Sequence, residues 1–187
     1  MQRNKRVVIS GSPGSGKTAV IEGLKNKEYS IFQEFSRSLI KDYQSRGITN
    51  LFLSAPLKFS EQLLEVREKQ FIDSEKIFQA KSQVVFFDRG IHDTYAYLKA
   101  VGQENFNFKE KVYSFEYDLV FLLTPWEKIF KKDNERLENF SQAKMYYPYI
   151  KEAYSIQHKV IELPYGSVEE RVFFIESFMN NNNNNNG

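Results

Sequence analysis

Eight residues, Gly11-Ser12-Pro13-Gly14-Ser15-Gly16-Lys17-Thr18, follow the pattern G-x-x-x-x-G-K-S/T and constrain the fold more than any other part of the chain. The apolar run Arg6-Val7-Val8-Ile9-Ser10 precedes them, and Ala19-Val20-Ile21-Glu22-Gly23-Leu24 continues as a helix. A strand, a glycine-rich turn and a helix in that order make a phosphate-binding loop. Its glycines let successive backbone N–H groups point at phosphate oxygens, and the helix N-terminus adds partial positive charge. This reading assigns Gly11, Ser12, Pro13, Gly14, Ser15, Gly16, Lys17, Thr18 and Ala19 to ATP binding. Lys17 bridges the outer phosphates and the Thr18 hydroxyl holds Mg2+.

Five short β-branched or aromatic runs alternate with helix-like stretches, which predicts an α/β fold on a parallel sheet with helices on both faces. The expected strands are Arg6–Ser10, Tyr29–Gln33, Gln83–Asp88, Asp118–Leu123 and Lys159–Leu163. Val7-Val8-Ile9, Val84-Val85-Phe86-Phe87 and Leu119-Val120-Phe121-Leu122-Leu123 are apolar without a break, so these strands should be central and covered on both faces. Expected helices are Ser36–Ser45, a long Pro56–Lys81, Thr94–Val101 capped by Asp93, Ser141–Gln157 and Val168–Met179. Ser167-Val168-Glu169-Glu170 is a capping box for the last of them.

With 187 residues, 41% of them hydrophobic, the chain supports one well-buried core and is short for two. Residues 1–179 are therefore expected to be a single P-loop domain, and the asparagine run of 180–187 a tail outside it, disordered or artefactual. A formal charge of +2 without a basic tract offers no footprint for a long nucleic acid. Cysteine is absent, which excludes disulfides and thiolate metal sites, and His92 and His158 are too few for a multi-histidine centre. Mg2+ held by oxygen ligands is the metal this composition leaves. No signal-like segment opens the chain and no apolar run exceeds about five residues, so a cytoplasmic protein without a membrane span is expected.

Asp88 ends the third strand directly after four apolar residues. A carboxylate there faces the crevice at the carboxyl end of a parallel sheet and reaches nucleotide-bound Mg2+; the alternative is a turn aspartate capping the next segment. Arg89 beside it clamps an acceptor or a phosphate, or else joins two helices by a salt bridge. The second strand runs out into Glu34 and Arg37. Glu34 there can receive the proton of a substrate hydroxyl while Arg37 holds an anionic part of the substrate, or the two pair with each other. Asp93 joins Glu34, Arg37 and Arg89 as a substrate contact.

Lys128, Lys132 and Arg136 recur at four-residue spacing and make one helix face positive, with Asp133 placed to orient Arg136. As a lid, this segment brings Arg136 over the phosphates; as an ordinary charged run it is a solvated face. Leu163-Pro164-Tyr165-Gly166 and Arg171 lie where a nucleotide base can rest, so Arg171 joins the ATP-binding set. The aromatic groups at 106–108, 113–117 and 146–149 read as packing, and His92 as structural.

Taken together, Gly11–Thr18, Glu34 with Arg37, Asp88-Arg89-Gly90 with Asp93 and Tyr97, and Pro125-Trp126 with Asp133, Glu135-Arg136 and Phe140 resemble a family of small bacterial ATPases with an AAA-type P-loop domain. Leu163-Pro164 and Ser167–Arg171 match its C-terminal signature, and the resemblance covers residues 6–178. The wider relatives are the nicotinamide-riboside kinase domain and nucleoside or nucleotide kinases. This implies a sheet order of 2-3-1-4-5 and a compact kinase-like enzyme. A ring-forming motor is not implied, because that needs a second helical domain and normally a glutamate where this chain has Arg89.

The resulting expectation is transfer of the γ-phosphoryl of ATP, with Mg2+, to a hydroxyl of a nucleoside-like or other small acceptor. Lys17, Glu34, Asp88 and Arg136 would be catalytic, with Thr18 and Asp88 on the metal. The alternatives are a slow ATPase acting as a switch for a protein partner and a hydrolase of small triphosphates. A deep acceptor pocket opposite the γ-phosphate separates the first from the second. Lys17→Ala is expected to weaken triphosphate binding sharply without disturbing the fold.

Overall fold

The computed structural model describes residues 3–48, 51–77, 81–130 and 139–184. In chain order the elements are β1 (Lys5–Gly11), α1 (Lys17–Asn26), β2 (Ser30–Phe32), α2 (Ser36–Ser45), α3 (Leu51–Ser54), α4 (Pro56–Asp73), β3 (Val84–Asp88), α5 (Ile91–Ala100), α6 (Phe106–Tyr113), β4 (Leu119–Leu123), α7 (Phe140–Ser155), β5 (Val160–Leu163) and α8 (Val168–Asn184). The five strands form one sheet in the order β2-β3-β1-β4-β5, and every neighbouring pair is parallel. The expected architecture and strand order therefore hold.

Covering of both sheet faces explains the unbroken apolar runs. Val8, Val85, Phe87, Val120 and Leu122 point to the face occupied by α5, α6 and α7, where they meet Ile91, Leu98, Phe108, Val112, Ile150 and Tyr154. Val7, Ile9, Phe86, Phe121 and Leu123 point the other way, onto Val20, Ile21 and Leu24 of α1 and Val172 and Ile175 of α8. Side chains alternate along a strand, so a strand sandwiched between two helical layers must be apolar at every position. A smaller cluster, Leu39, Leu51, Phe59 and Leu63, joins α2, α3 and α4 beside the carboxyl edge.

Three boundaries differ from the sequence expectation by three residues or more. The long helix stops at Asp73 and not at Lys81, with a 3-10 turn over Ser74–Lys76. Here β1 intervenes: Arg6 Nε donates to Ser74 Oγ at 2.9 Å, and Asn4 Nδ2 donates to the carbonyls of Ser74 (3.1 Å) and Ile77 (2.7 Å). The two Asn4 bonds take carbonyls that a continuing helix would need. The next helix begins at Ile91, so Asp93 is not its N-cap; the cap is Gly90, and Asp93 accepts from the Gly90 N–H at 3.0 Å from the third helical position. Finally, α8 opens on the expected box, with Ser167 N–H to Glu170 Oε2 at 2.7 Å and Glu170 N–H to Ser167 Oγ at 3.2 Å, but runs to Asn184. Its last buried apolar residue is Met179.

No helix among the described residues is long and apolar enough to cross a membrane.

A buried imidazole pair lies behind α5. His92 Nε2 meets Gln157 Oε1 at 2.9 Å, and the His92 ring lies 4.7 Å from that of His158 and 5.2 Å from that of Tyr113. Burial pulls the His92 pKa from 6.5 down to about 4; Gln157 and Asp93 oppose the fall and His158 adds to it. His158, whose Nδ1 faces the Tyr154 carbonyl, is lowered by burial too. A depressed histidine pKa lends stability that is complete above the unfolded value and is lost as pH falls toward the folded one. Acidification from 6.5 to 4 is therefore expected to remove roughly 3 kcal/mol through His92. Thermal melts across that window should fall less steeply for His92→Phe than for the parent, and parallel profiles would refute the assignment.

Candidate functional site

The first strand, packed on both sides, hands the chain directly to the phosphate loop. Gly11 pairs in register with Leu123 of β4, and its φ of +152° suits glycine alone. A Cβ at Gly11 would stand 2.5 Å from the Leu123 carbonyl oxygen. Gly16 has φ +85°, a left-handed backbone that favours glycine, and a Cβ there would lie 2.9 Å from both Arg171 Nη1 and Ile129 Cδ1. The loop thus arrives at the N-terminus of α1 with Thr18 and Ala19 exposed on the first turn.

Orphaned polar atoms gather around this loop. Ser12 Oγ, Ser15 Oγ, and Nε and Nη2 of Arg171 are buried without a hydrogen-bond partner among the described residues. Arg171 reaches from α8 and donates through Nη1 to the Ser15 carbonyl at 3.2 Å, with its guanidinium 5.8 Å from the Trp126 ring centre. Trp126 stacks on Tyr165 at 4.9 Å. Burial lowers the Arg171 pKa. Hydroxyls and a guanidinium left unmatched in a glycine-lined cradle fit an anion with many acceptor oxygens, as phosphates have.

Lys17, Glu34 and Asp88 come from three segments and meet at the carboxyl edge of the sheet. The Lys17 ammonium bonds Asp88 Oδ1 and lies 3.3 Å from Glu34 Oε2. Glu34 also accepts from Ser36 Oγ at 2.6 Å and pairs through Oε1 with Arg89 Nε at 2.9 Å. Burial pushes the Glu34 carboxyl up, yet Lys17, Arg89, the Ser36 hydroxyl and Arg67 together hold it well below the usual carboxylate range. Glu34 is therefore an anion throughout the physiological pH range. The Thr18 hydroxyl and Asp88 carboxylate are both hard oxygen donors at the mouth of the cradle, a set that fits Mg2+ completed by phosphate and water.

A single cavity of about 390 Å³ takes in the phosphate loop, at Ser12–Gly14 and Gly16–Ala19, and the space facing it. Beyond the loop, Glu34, Ser36, Arg37 and Arg89 line its polar end, and Phe52, Phe59, Tyr97 and Tyr146 line the remainder with Leu63 and Arg67. The rings touch in series: Phe59 to Phe52 at 5.8 Å, Phe52 to Tyr97 at 6.2 Å and Tyr97 to Tyr146 at 4.8 Å. Burial works against the charge on Arg89, but Tyr97, Glu34, Asp93 and Asp88 keep its pKa well above the ordinary value.

The structure brings Lys17, Glu34, Asp88 and Arg89 together, and Arg37 lines the cavity beside them. Asp93 borders the same cavity but is 0% exposed, and its oxygens are taken by Ser10, Arg89, Gly90 and Tyr154. Arg136 and its neighbours Lys132, Asp133 and Glu135 lie outside the described residues. Sequence reading missed Phe52, Phe59, Leu63 and Arg67, and took Tyr146 for packing alone. One signal was present. Phe59, Leu63 and Arg67 recur every four residues, so an arginine sits on the apolar stripe of α4.

Residues 6–171 match the model of a family described as AAA domain. Deoxyadenosine kinase from M. mycoides with bound dATP superimposes with a TM-score of 0.68 at 16% identity, over 94% of this chain and 99% of that one. Thymidylate kinase from Candida albicans gives 0.65 at 16% identity, over 97% and 93% of the two chains. The NadR protein in complex with NR gives 0.62 at 17% identity, over 86% of this chain and 43% of that one. A comparison with curated proteins returned no significant match.

Proposed function

Because the chain belongs to the AAA domain family, matched across residues 6–171, and has the fold of nucleoside and nucleotide kinases, we propose that it transfers the γ-phosphoryl of MgATP to a hydroxyl of a nucleoside-like small molecule. The cavity facing Lys17 carries this reading. Its volume of about 390 Å³, the space at the phosphate loop included, falls in the range of small-molecule sites. Its four rings suit the faces of a flat heterocycle, and its polar end carries a carboxylate beside the phosphate loop. A switch that only binds and hydrolyses a triphosphate needs the loop end of this cavity but has no use for its aromatic end.

In this reading Lys17 and the loop amides hold the donor phosphates, with the Ser12 and Ser15 hydroxyls and Arg171 supplying further donors. The phosphates draw Lys17 from Asp88 and Glu34. Thr18 and Asp88 would hold Mg2+, which neutralises charge on the phosphates when bound. Glu34 accepts a hydrogen bond from the acceptor hydroxyl and takes its proton as the new oxygen–phosphorus bond forms and the bond to the departing ADP breaks. A carboxylate held so strongly ionised is a weak base. Phosphoryl transfer tolerates this because it proceeds mainly by positioning and charge stabilisation. Arg37 and Arg89 contact the acceptor, and Arg136 closes from the lid.

Turnover of ATP with Mg2+, measured alone and against a panel of nucleosides, vitamins and nucleotides, tests the proposal. One acceptor should yield a phosphorylated product that is lost in Glu34→Gln. Tyr97→Ala should raise the KM for that acceptor about tenfold while leaving the KM for ATP near its parent value. ADP release independent of every acceptor would instead establish a hydrolase. Binding without turnover would favour the switch.

A further inference from the structure

Asp93 is an ionised carboxylate at 0% exposure, three residues into the numbering of the helix that follows Asp88-Arg89-Gly90. Its Oδ1 accepts from Ser10 Oγ at 2.5 Å and from Arg89 Nη1 at 3.1 Å. Its Oδ2 accepts from Tyr154 Oη at 2.6 Å and from the Gly90 N–H at 3.0 Å. A carboxylate offers about four lone-pair directions, so this one has nothing left for a substrate. Capping α5 needs only the Gly90 contact. The other three donors belong to β1, to the arginine beside Asp88 and to the far end of α7.

Arg89 is the member of this group that needs holding. It has φ +69°, a left-handed backbone that an ordinary L residue avoids. Its Nη1 also donates to the Gly11 carbonyl at 3.0 Å, at the entrance of the phosphate loop, while its Nε faces Glu34 at 2.9 Å. Asp93 and the Gly11 carbonyl thus fix one edge of the guanidinium and leave Nε aimed at Glu34. Tyr154 secures Asp93 from behind, and the same hydroxyl accepts from the Gly90 N–H at 3.0 Å. Backbone strain, full burial and a saturated carboxylate converge on a single side-chain orientation.

We propose that Asp93 and Tyr154 are positioning residues: they orient the Arg89 guanidinium so that its Nε edge holds Glu34 against the acceptor hydroxyl. Neither touches the substrate. Both act through Arg89. Because Tyr154 lies on α7, whose earlier residues Gln142 and Tyr146 line the acceptor cavity, the same hydroxyl ties that wall of the cavity to the arginine.

The inference rests on the kinase reading for its kinetic consequence but not for its structural one, so two readouts are used. Tyr154→Phe removes only the hydroxyl and keeps the buried ring. It should lower kcat for the acceptor found above by about tenfold to a hundredfold and shift neither KM by more than about twofold. It should add nothing further in an Arg89→Lys background, because the two changes act on one interaction. Independently, side-chain NMR of protein labelled with [15N]arginine should find the Arg89 Nε–H protected from solvent exchange in the parent and exposed in Tyr154→Phe and Asp93→Asn. Protection that persists in Tyr154→Phe, or an effect that adds fully to that of Arg89→Lys, would overturn the proposal and leave Asp93 a helix cap. If Asp93→Asn does not fold, Ser10→Ala replaces it and should leave the Arg89 resonance less protected. Absence of turnover with every acceptor defeats the kinase reading alone, and the NMR result still decides the positioning role.

Discussion

Lys17→Ala is expected to weaken ATP binding about a hundredfold, the scale of one or two lost charge-assisted hydrogen bonds to phosphate. Calorimetry with MgATP measures this, and unchanged affinity would remove the assignment of the loop. The structure adds a second consequence that the sequence did not carry. Lys17 is nearly buried between Asp88 and Glu34, so its loss leaves two buried carboxylates short of a cation. Breaking such a pair by deleting one partner costs about 3–5 kcal/mol, which in a chain of this size lowers the melting temperature by roughly 10 °C.

The pH dependence of that loss has a definite sign. In the parent, the Glu34 pKa lies below its ordinary value of 4.5, so the stability it lends is present above 4.5 and disappears as pH falls through the folded value. Without Lys17 that depression shrinks. The deficit of the variant relative to the parent should therefore be largest near neutrality and narrow below about pH 4, as Glu34 takes up a proton. A deficit that stays constant from neutral to acid would mean that Lys17 contributes packing and not charge.

Gly90→Ala is expected to damage folding about as much, by a different route. The backbone at Gly90 is extended, with φ −110° and ψ −179°, so the objection is space and not conformation. A Cβ there would stand 2.6 Å from Tyr154 Oη, 3.0 Å from Val8 Cγ2 and 3.1 Å from Tyr117 Cε2. All three belong to the buried layer between sheet and helices, where nothing yields cheaply. Forcing Tyr154 aside also strips its hydroxyl from Asp93 and from the Gly90 amide. A loss of about 3–5 kcal/mol is expected, combining overpacking with broken buried hydrogen bonds. Gly102→Ala is the control. There φ is +70° but no atom lies within 4 Å, so only backbone strain of about 1–2 kcal/mol applies. Urea unfolding of the two variants side by side checks the ranking, and equal losses would contradict it.

The phosphate loop, the central strands and α2 were legible because each is written in adjacent residues. Ser36–Ser45 is the same helix in both readings. Tyr146 shows where legibility ended. Its helical spacing on α7 says only that it faces inward, and inward here means both the core and the acceptor cavity. Arg67 on the apolar stripe of α4 was visible as a misfit, yet its destination, the Gly90 carbonyl at 2.9 Å, lies on another element. Glu34 was recognised as a site carboxylate beside Arg37, whereas its partnership with Lys17 and Arg89 emerged only when β1, β2 and β3 were laid side by side.

By itself, the sequence determined a strand-loop-helix phosphate cradle, a parallel sheet buried on both faces, and carboxylates at its carboxyl edge. These follow from local rules: glycine where the backbone must turn, unbroken apolarity where two layers cover a strand, and acids where a strand leaves the core. Only the tertiary structure decided that Asp93 caps nothing as an N-cap and is saturated by Ser10, Arg89, Gly90 and Tyr154, and that four rings from α3, α4, α5 and α7 enclose one cavity. Residues as far apart as Ser10, Asp93 and Tyr154 meet because the sheet order brings their elements together, and hydrogen bonding over that separation leaves no periodicity in the chain from which it could be read.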